Sequence, residues 1–102
     1  MTVPTEAGAP LALRLDPVFP NPLEAGTKLN FAIPRSGSVK LAIYDVTGRR
    51  VALIVDQALP SGMRGVTWDG RDGKGWPVAS GTYFARLESA GQTQVRKIVV
   101  AR

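Results

Sequence analysis

The residues best placed to do chemistry sit in one polar stretch, Asp69-Gly70-Arg71-Asp72-Gly73-Lys74-Gly75, with Trp76 directly after it. Two carboxylates three positions apart in a glycine-rich loop offer oxygen ligands of the kind calcium takes. Calcium takes six or more oxygens, and no later acid closes this loop as an EF-hand glutamate would. Asp69 and Asp72 are therefore a calcium candidate beside a structural alternative, in which both cap turns and Arg71 lies near as a counter-charge. As a glycosidase-type acid and base they would need a sugar-sized cleft, which a domain this small does not supply. Ser80 has no paired base, and Lys74 would have to be buried to serve as one. Trp76, beside Pro77 in the loop, is the candidate exposed aromatic for a ligand. Tyr44 and Phe84 are the other aromatics open to that role.

The absent residues narrow the chemistry further. The 102-residue chain contains no histidine and no cysteine. That removes imidazole bases, Ser-His-Asp and Cys-His nucleophiles, His-ligated metals, thiol chemistry and disulfides. We expect no enzyme and no cofactor. The net charge is +5, from 13 Lys and Arg against 8 Asp and Glu. The cations are scattered, with adjacent pairs only at Arg49-Arg50 and Arg96-Lys97. Phe19, Phe31, Trp68, Tyr83 and Phe84 fall in or beside apolar segments, as core residues do. A base-stacking platform needs exposed aromatics along a basic groove, so nucleic acid is not an expected partner.

Elements that could position these residues are strands. Eleven glycines and 8 prolines imply many turns. No apolar run approaches the ~18 residues of a membrane-spanning helix. Residues 1–10 have neither the basic nor the apolar region of a signal peptide and read as a linker or tail. Residues 11–102 read as one domain. Leu11, Leu13 and Leu15 alternate with Ala12, Arg14 and Asp16, which predicts a strand stopped by Pro17. Leu29, Phe31 and Ile33 form one face against Lys28, Asn30 and Ala32. Val39, Leu41 and Ile43 form another against Lys40, Ala42 and Tyr44. Asp45 to Arg49 predicts a hairpin turn, with Asp45 accepting backbone N–H bonds and Gly48 left-handed. Arg50–Asp56 and Arg64–Trp68 follow as strands. Trp68 is expected under the next loop, its N–H tied to a carbonyl. Tyr83, Ala85 and Leu87 share a face of the strand Thr82–Glu88. Ala90-Gly91 turns the chain into a last strand, Thr93–Ala101. About seven short antiparallel strands over this length predict an all-β, immunoglobulin-like β-sandwich.

Specific segments resemble a known family. They are Pro20-Asn21-Pro22, Thr27-Lys28-Leu29-Asn30-Phe31, Val39 through Arg49, Val66 through Asp72, Val78 through Phe84, and Lys97 through Arg102. In this order they are similar to the Ig-like domain shared by C-terminal sorting domains of type IX secretion cargo and the flagellar hook-capping scaffold. Leu23-Glu24-Ala25 departs from the pattern, where many relatives carry a second Asn-Pro.

The resemblance implies a non-catalytic sorting module at the C-terminal end of an exported, multidomain protein. Its implied partners are the outer-membrane type IX machinery and cargo domains N-terminal to it in the parent chain. Its implied location is secreted or cell-surface, reached through the periplasm, with an N-terminal export signal not present in these residues. The recognition residues implied are Gly81, Tyr83, Gly91, Lys97, Ile98, Val99 and Val100. The same glycines and apolar residues read equally as turn and core positions. Edge strands leave a homodimer open. The alternatives are a cell-surface adhesion or carbohydrate-binding module, or a scaffold domain like that of the hook cap.

Overall fold

In the computed structural model, which describes residues 12–18 and 26–101, period-two alternation becomes seven strands. They are β1 (Arg14–Leu15), β2 (Thr27–Ile33), β3 (Gly37–Asp45), β4 (Arg50–Leu59), β5 (Gly62–Trp68), β6 (Gly81–Ser89) and β7 (Gln92–Val100). Among the described residues all pairings are antiparallel. A three-stranded sheet has the order β1-β2-β5, and a four-stranded sheet the order β4-β3-β6-β7. The two sheets enclose one apolar core, as expected for an Ig-like sandwich. Leu29, Phe31 and Ile33 enter it from β2, Leu41 and Ile43 from β3, and Leu87 and Ile98 from β6 and β7. The predicted tail 1–10, Phe19 and the Pro20-Asn21-Pro22 motif lie outside the described residues.

Several boundaries differ from the alternation pattern. Leu11 lies outside the described residues; among those described the first strand is two residues, Arg14 and Leu15 pairing with Ala32 and Phe31, with the Asp16 N–H donating to Asn30 O at 2.9 Å just beyond it. Leu13 is nonetheless buried. β4 runs on to Leu59 and β5 starts at Gly62, so the turn between them is tight. Ala32 and Ala42 were expected on outward faces, yet both are buried. Each lies on a strand with partners on both sides: Arg14 and Met63 flank Ala32, and Leu53 and Arg86 flank Ala42. Long side chains close over so small a residue.

The sheet edges are built differently. Between Leu41↔Val55 and Ala42↔Leu53, Ile54 has no opposite residue; between Ile43↔Ala52 and Tyr44↔Arg50, Val51 has none. β4 therefore carries two bulges. β7 pairs with β6 in unbroken register from Gly81↔Val100 to Ser89↔Gln92. The β6–β7 turn is closed by Ala90 and Gly91, with φ of 52° and 76°. Two left-handed residues suit a two-residue hairpin, at some strain for Ala90.

Candidate functional site

At one end of the sandwich, two five-residue turns have the same internal wiring. In the first, Asp45 Oδ1 accepts the N–H of Thr47 (2.9 Å) and of Arg49 (3.0 Å). In the second, Asp72 Oδ1 accepts the N–H of Lys74 (2.9 Å) and of Trp76 (3.0 Å). The backbone bonds also correspond. The N–H of Asp45 donates to Arg49 O and that of Asp72 to Trp76 O, while Gly48 donates to Asp45 O and Gly75 to Asp72 O. Gly48 and Gly75 have φ of 88° and 87°. The shared spacing is Asp, two residues, then Gly. Its local logic is that the carboxylate satisfies N–H groups the tight turn leaves over, and only Gly takes the left-handed position cheaply.

Both Asp69 and Asp72 cap turns, as the structural alternative expects, but they serve separate turns. Asp72 is the counterpart of Asp45, which the Asp-x-x-Gly spacing could have revealed. Asp69 caps a separate step, accepting the N–H of Arg71 at 3.0 Å. The Arg71 guanidinium goes to Gly75 O at 3.0 Å, with no ion pair to either aspartate among those found in the described residues. Among the described residues no cluster of three or more Asp, Glu, His or Cys forms a metal site. The Asp45 carboxyl is held below the usual carboxylate range, first by the Thr47 hydroxyl at 2.6 Å and then by backbone N–H groups. Asp72 is likewise lowered, chiefly by the Trp76 N–H.

The loop from Asp69 to Ser80 is anchored from beneath. Trp68 is buried, donates Nε1–H to Arg71 O at 2.9 Å, and meets Tyr83 edge-on at a centroid distance of 6.1 Å. Tyr83 in turn donates its hydroxyl to Ala79 O at 2.7 Å. The loop then reaches across to β4, where the Gly73 N–H donates to the carbonyl of the bulged Val51 at 3.0 Å. A groove of about 670 Å³ lies between the two turns, lined by Asp45, Arg49, Arg50, Asp72, Lys74 and Tyr83 among others. Trp76 projects from the loop, 68% exposed.

The recognition residues implied by the resemblance fall into two groups. Gly81, Tyr83, Lys97, Ile98, Val99 and Val100 lie together where β6 begins and β7 ends, paired as Gly81↔Val100, Thr82↔Val99, Tyr83↔Ile98 and Phe84↔Lys97. Gly91 sits at the opposite end of that hairpin, in its turn. Tyr83, Ile98 and Val100 point into the core, so from this set the outer face presents Lys97 and Val99. Arg96, adjacent to Lys97, is committed inward. Its Nε donates to Leu15 O on β1 at 2.7 Å, joining the edges of the two sheets.

On the outer face of the four-stranded sheet, Tyr44 and Phe84 are direct cross-strand neighbours. The Arg86 guanidinium lies over the Tyr44 ring at 5.3 Å and its Nε reaches Glu88 at 2.8 Å. One ring of this aromatic pair is thus already covered by a cation.

Comparison with known proteins places this geometry. The family model for the FlgD Ig-like domain matches residues 21–93. PorZ from Porphyromonas gingivalis, described as an essential bacterial surface component of the type IX secretion system, is similar in structure, with TM-score 0.57 and 25% identity over 86% of this chain. Dimeric latent PorU from the same organism superposes with TM-score 0.64, at 23% identity over 95% of the chain. FlgD from Xanthomonas campestris, described in connection with hook capping in flagellar assembly, gives TM-score 0.57 and 24% identity over 86%. The chain spans 11% of the PorZ chain, 10% of PorU and 64% of that FlgD. No curated protein matches it. With the model covering most of the chain, and the sheets in the arrangement just described, this protein belongs to the FlgD Ig-like domain family.

Proposed function

We propose that this domain is a non-catalytic sorting module, which directs a larger exported protein through the type IX machinery to the exterior or the cell surface. The observation that carries this reading is the likeness to PorZ, a surface component of that secretion system, over 86% of the chain. The implied C-terminal position, the cargo domains N-terminal to it and the periplasmic route belong to the same proposal. The recognised feature is the regular ladder of β6 and β7, read from its outer face through Lys97 and Val99. The non-catalytic part rests on a sequence without His or Cys, and on Asp69 and Asp72 being engaged as turn acceptors.

The test is an export reporter carrying its own inner-membrane signal, fused to the full 102-residue chain in a type IX secreting bacterium. The fusion reaches the exterior, and Lys97→Glu with Val99→Lys, both away from the core, traps it inside. Unchanged export of that double variant removes the proposal. A second reading, a scaffold domain of a hook-capping protein, is favoured by the family model itself. It predicts that the domain complements a flagellar hook-cap defect and does nothing for export.

A further inference from the structure

We infer that the groove between the two Asp-x-x-Gly turns is a docking site for an acidic, partly apolar peptide segment of another protein. The groove opens beside β4, at the other edge of its sheet from β7, so the inference stands apart from the sorting proposal. Three observations carry it.

The first is a concentration of positive charge without matching ion pairs. Three cations, Arg49, Arg50 and Lys74, line the groove with two carboxylates, Asp45 and Asp72. Both carboxylates are engaged within their own turns, each Oδ1 accepting two backbone N–H groups. Arg49 pairs loosely with Asp45, Nε to Oδ2 at 3.4 Å, and its side chain is largely exposed. Arg50 and Lys74 are exposed and take part in no ion pair found for the described residues. The Asp72 carboxyl is lowered first by the Trp76 N–H, and only to a lesser degree by the Lys74 charge.

The second is how the two unpaired cations are held. The Gly73 N–H donates to Val51 O at 3.0 Å, and Arg50 and Lys74 are the chain neighbours of that bonded pair. The bond therefore fixes one cation from β4 and one from the loop at the same groove. Like charges held together repel, and a carboxylate bound between them reverses the sign of that interaction.

The third is what else lines the groove. Val51, Leu53, Pro77 and Ala79 supply apolar surface, with Leu53 42% exposed. Among the described residues that line it there is no Asn, Gln, Ser, Thr or His, and the Tyr83 hydroxyl is already given to Ala79 O. A sugar needs polar partners for its hydroxyls, and each one buried without a partner costs affinity. Cations beside apolar surface thus select an acidic, apolar peptide over a glycan. In an extended segment, residues two apart share a face. The partner therefore carries an acid and an apolar residue at i and i+2.

The test uses the full 102-residue chain, isotope-labelled, and a synthetic peptide, Ser-Glu-Ser-Leu-Ser-Glu-Ser. One control peptide replaces both Glu by Gln, and another replaces Leu by Ser. Amide chemical shifts are followed on titration. The acidic peptide should shift residues 49–53 and 72–79, and both controls should bind more weakly. Arg50→Gln and Lys74→Gln, both at exposed positions, should each weaken the acidic peptide about threefold and leave the Gln control nearly unchanged. Leu53→Glu provides a second, independent block of the groove. No shift, shifts elsewhere, or a control that binds as tightly as the acidic peptide overturns the inference. So does an oligouronate that shifts the same residues more strongly and loses its effect in Trp76→Ala, which would assign the groove to a glycan. Concentration-dependent shifts of these residues in the chain alone would assign it to a second copy, and overturn the inference as well.

Discussion

β4 and β7 border the same four-stranded sheet, yet β4 carries two bulges and a loop bond while β7 runs in perfect register with its neighbour. The loop that reaches β4 is held by an Asp-x-x-Gly turn, the twin of the one that starts β4. One edge is thus closed by devices stacked on one another, while the ladder of β6 and β7 keeps a single register. The lesson is that regularity at an edge is a feature to be explained. A flat open edge risks aggregation, and bulges with a loop bond are one way of closing it, as β4 shows.

The largest break in this comparison comes from Trp68→Ala. The side chain fills the core and holds Arg71 O, so its loss should cost about 3–5 kcal/mol of stability in denaturant unfolding. Exchange at Gly73 should rise with it, since the loop loses its anchor. Next come the two turn glycines. Gly48→Ala and Gly75→Ala each force a side chain into left-handed backbone, at about 1–2 kcal/mol. The twin wiring predicts similar losses for both, but only Gly75→Ala should speed exchange at Gly73 and unseal β4. Equal exchange effects would mean that the loop does not guard that edge.

Arg96→Met should cost about 1 kcal/mol by removing the bond to Leu15 O. It should loosen β1 while leaving the β6–β7 ladder protected. The smallest effect concerns pH. Asp45 and Asp72 both have lowered carboxyl pKa values in the fold. Their contribution is present above the ordinary carboxylate range and is lost as pH falls below about 4. Thermal melts across that range should show the loss, and Asp45→Asn with Asp72→Asn should flatten it. Lys97→Glu should leave the melting temperature nearly unchanged, as exposed substitutions do.

Much of this fold was legible in the residues. Alternation in Thr27–Ile33 and Thr82–Glu88 identified strands and their core faces. Asp45 with Gly48 identified a hairpin turn, and Trp68 ending an apolar run identified an anchor with a polar end. The bulges were hidden because Val51 to Val55 is apolar throughout, so nothing in its pattern marks which residue drops out of register. Ala32 and Ala42 misled because burial of a small residue depends on its cross-strand neighbours. The site was less legible. Asp72 drew attention through its neighbour Asp69, although its functional spacing is to Gly75. Arg96 and Lys97 are adjacent and alike in charge, but pleating sends one to a carbonyl across the sandwich and the other to the outer face. Gly91 was grouped with residues that the hairpin places at its far end.

The claim that β7 is the face read during export is tested most directly by one comparison in the reporter strain. The fusion carrying Lys97→Glu and Val99→Lys is set against one carrying Leu53→Lys, a change at the 42% exposed position on bulged β4. Secreted reporter is measured for both, with folding checked by thermal melting. Retention of the β7 variant alone is the predicted result; equal secretion of both fusions, each folded, contradicts it.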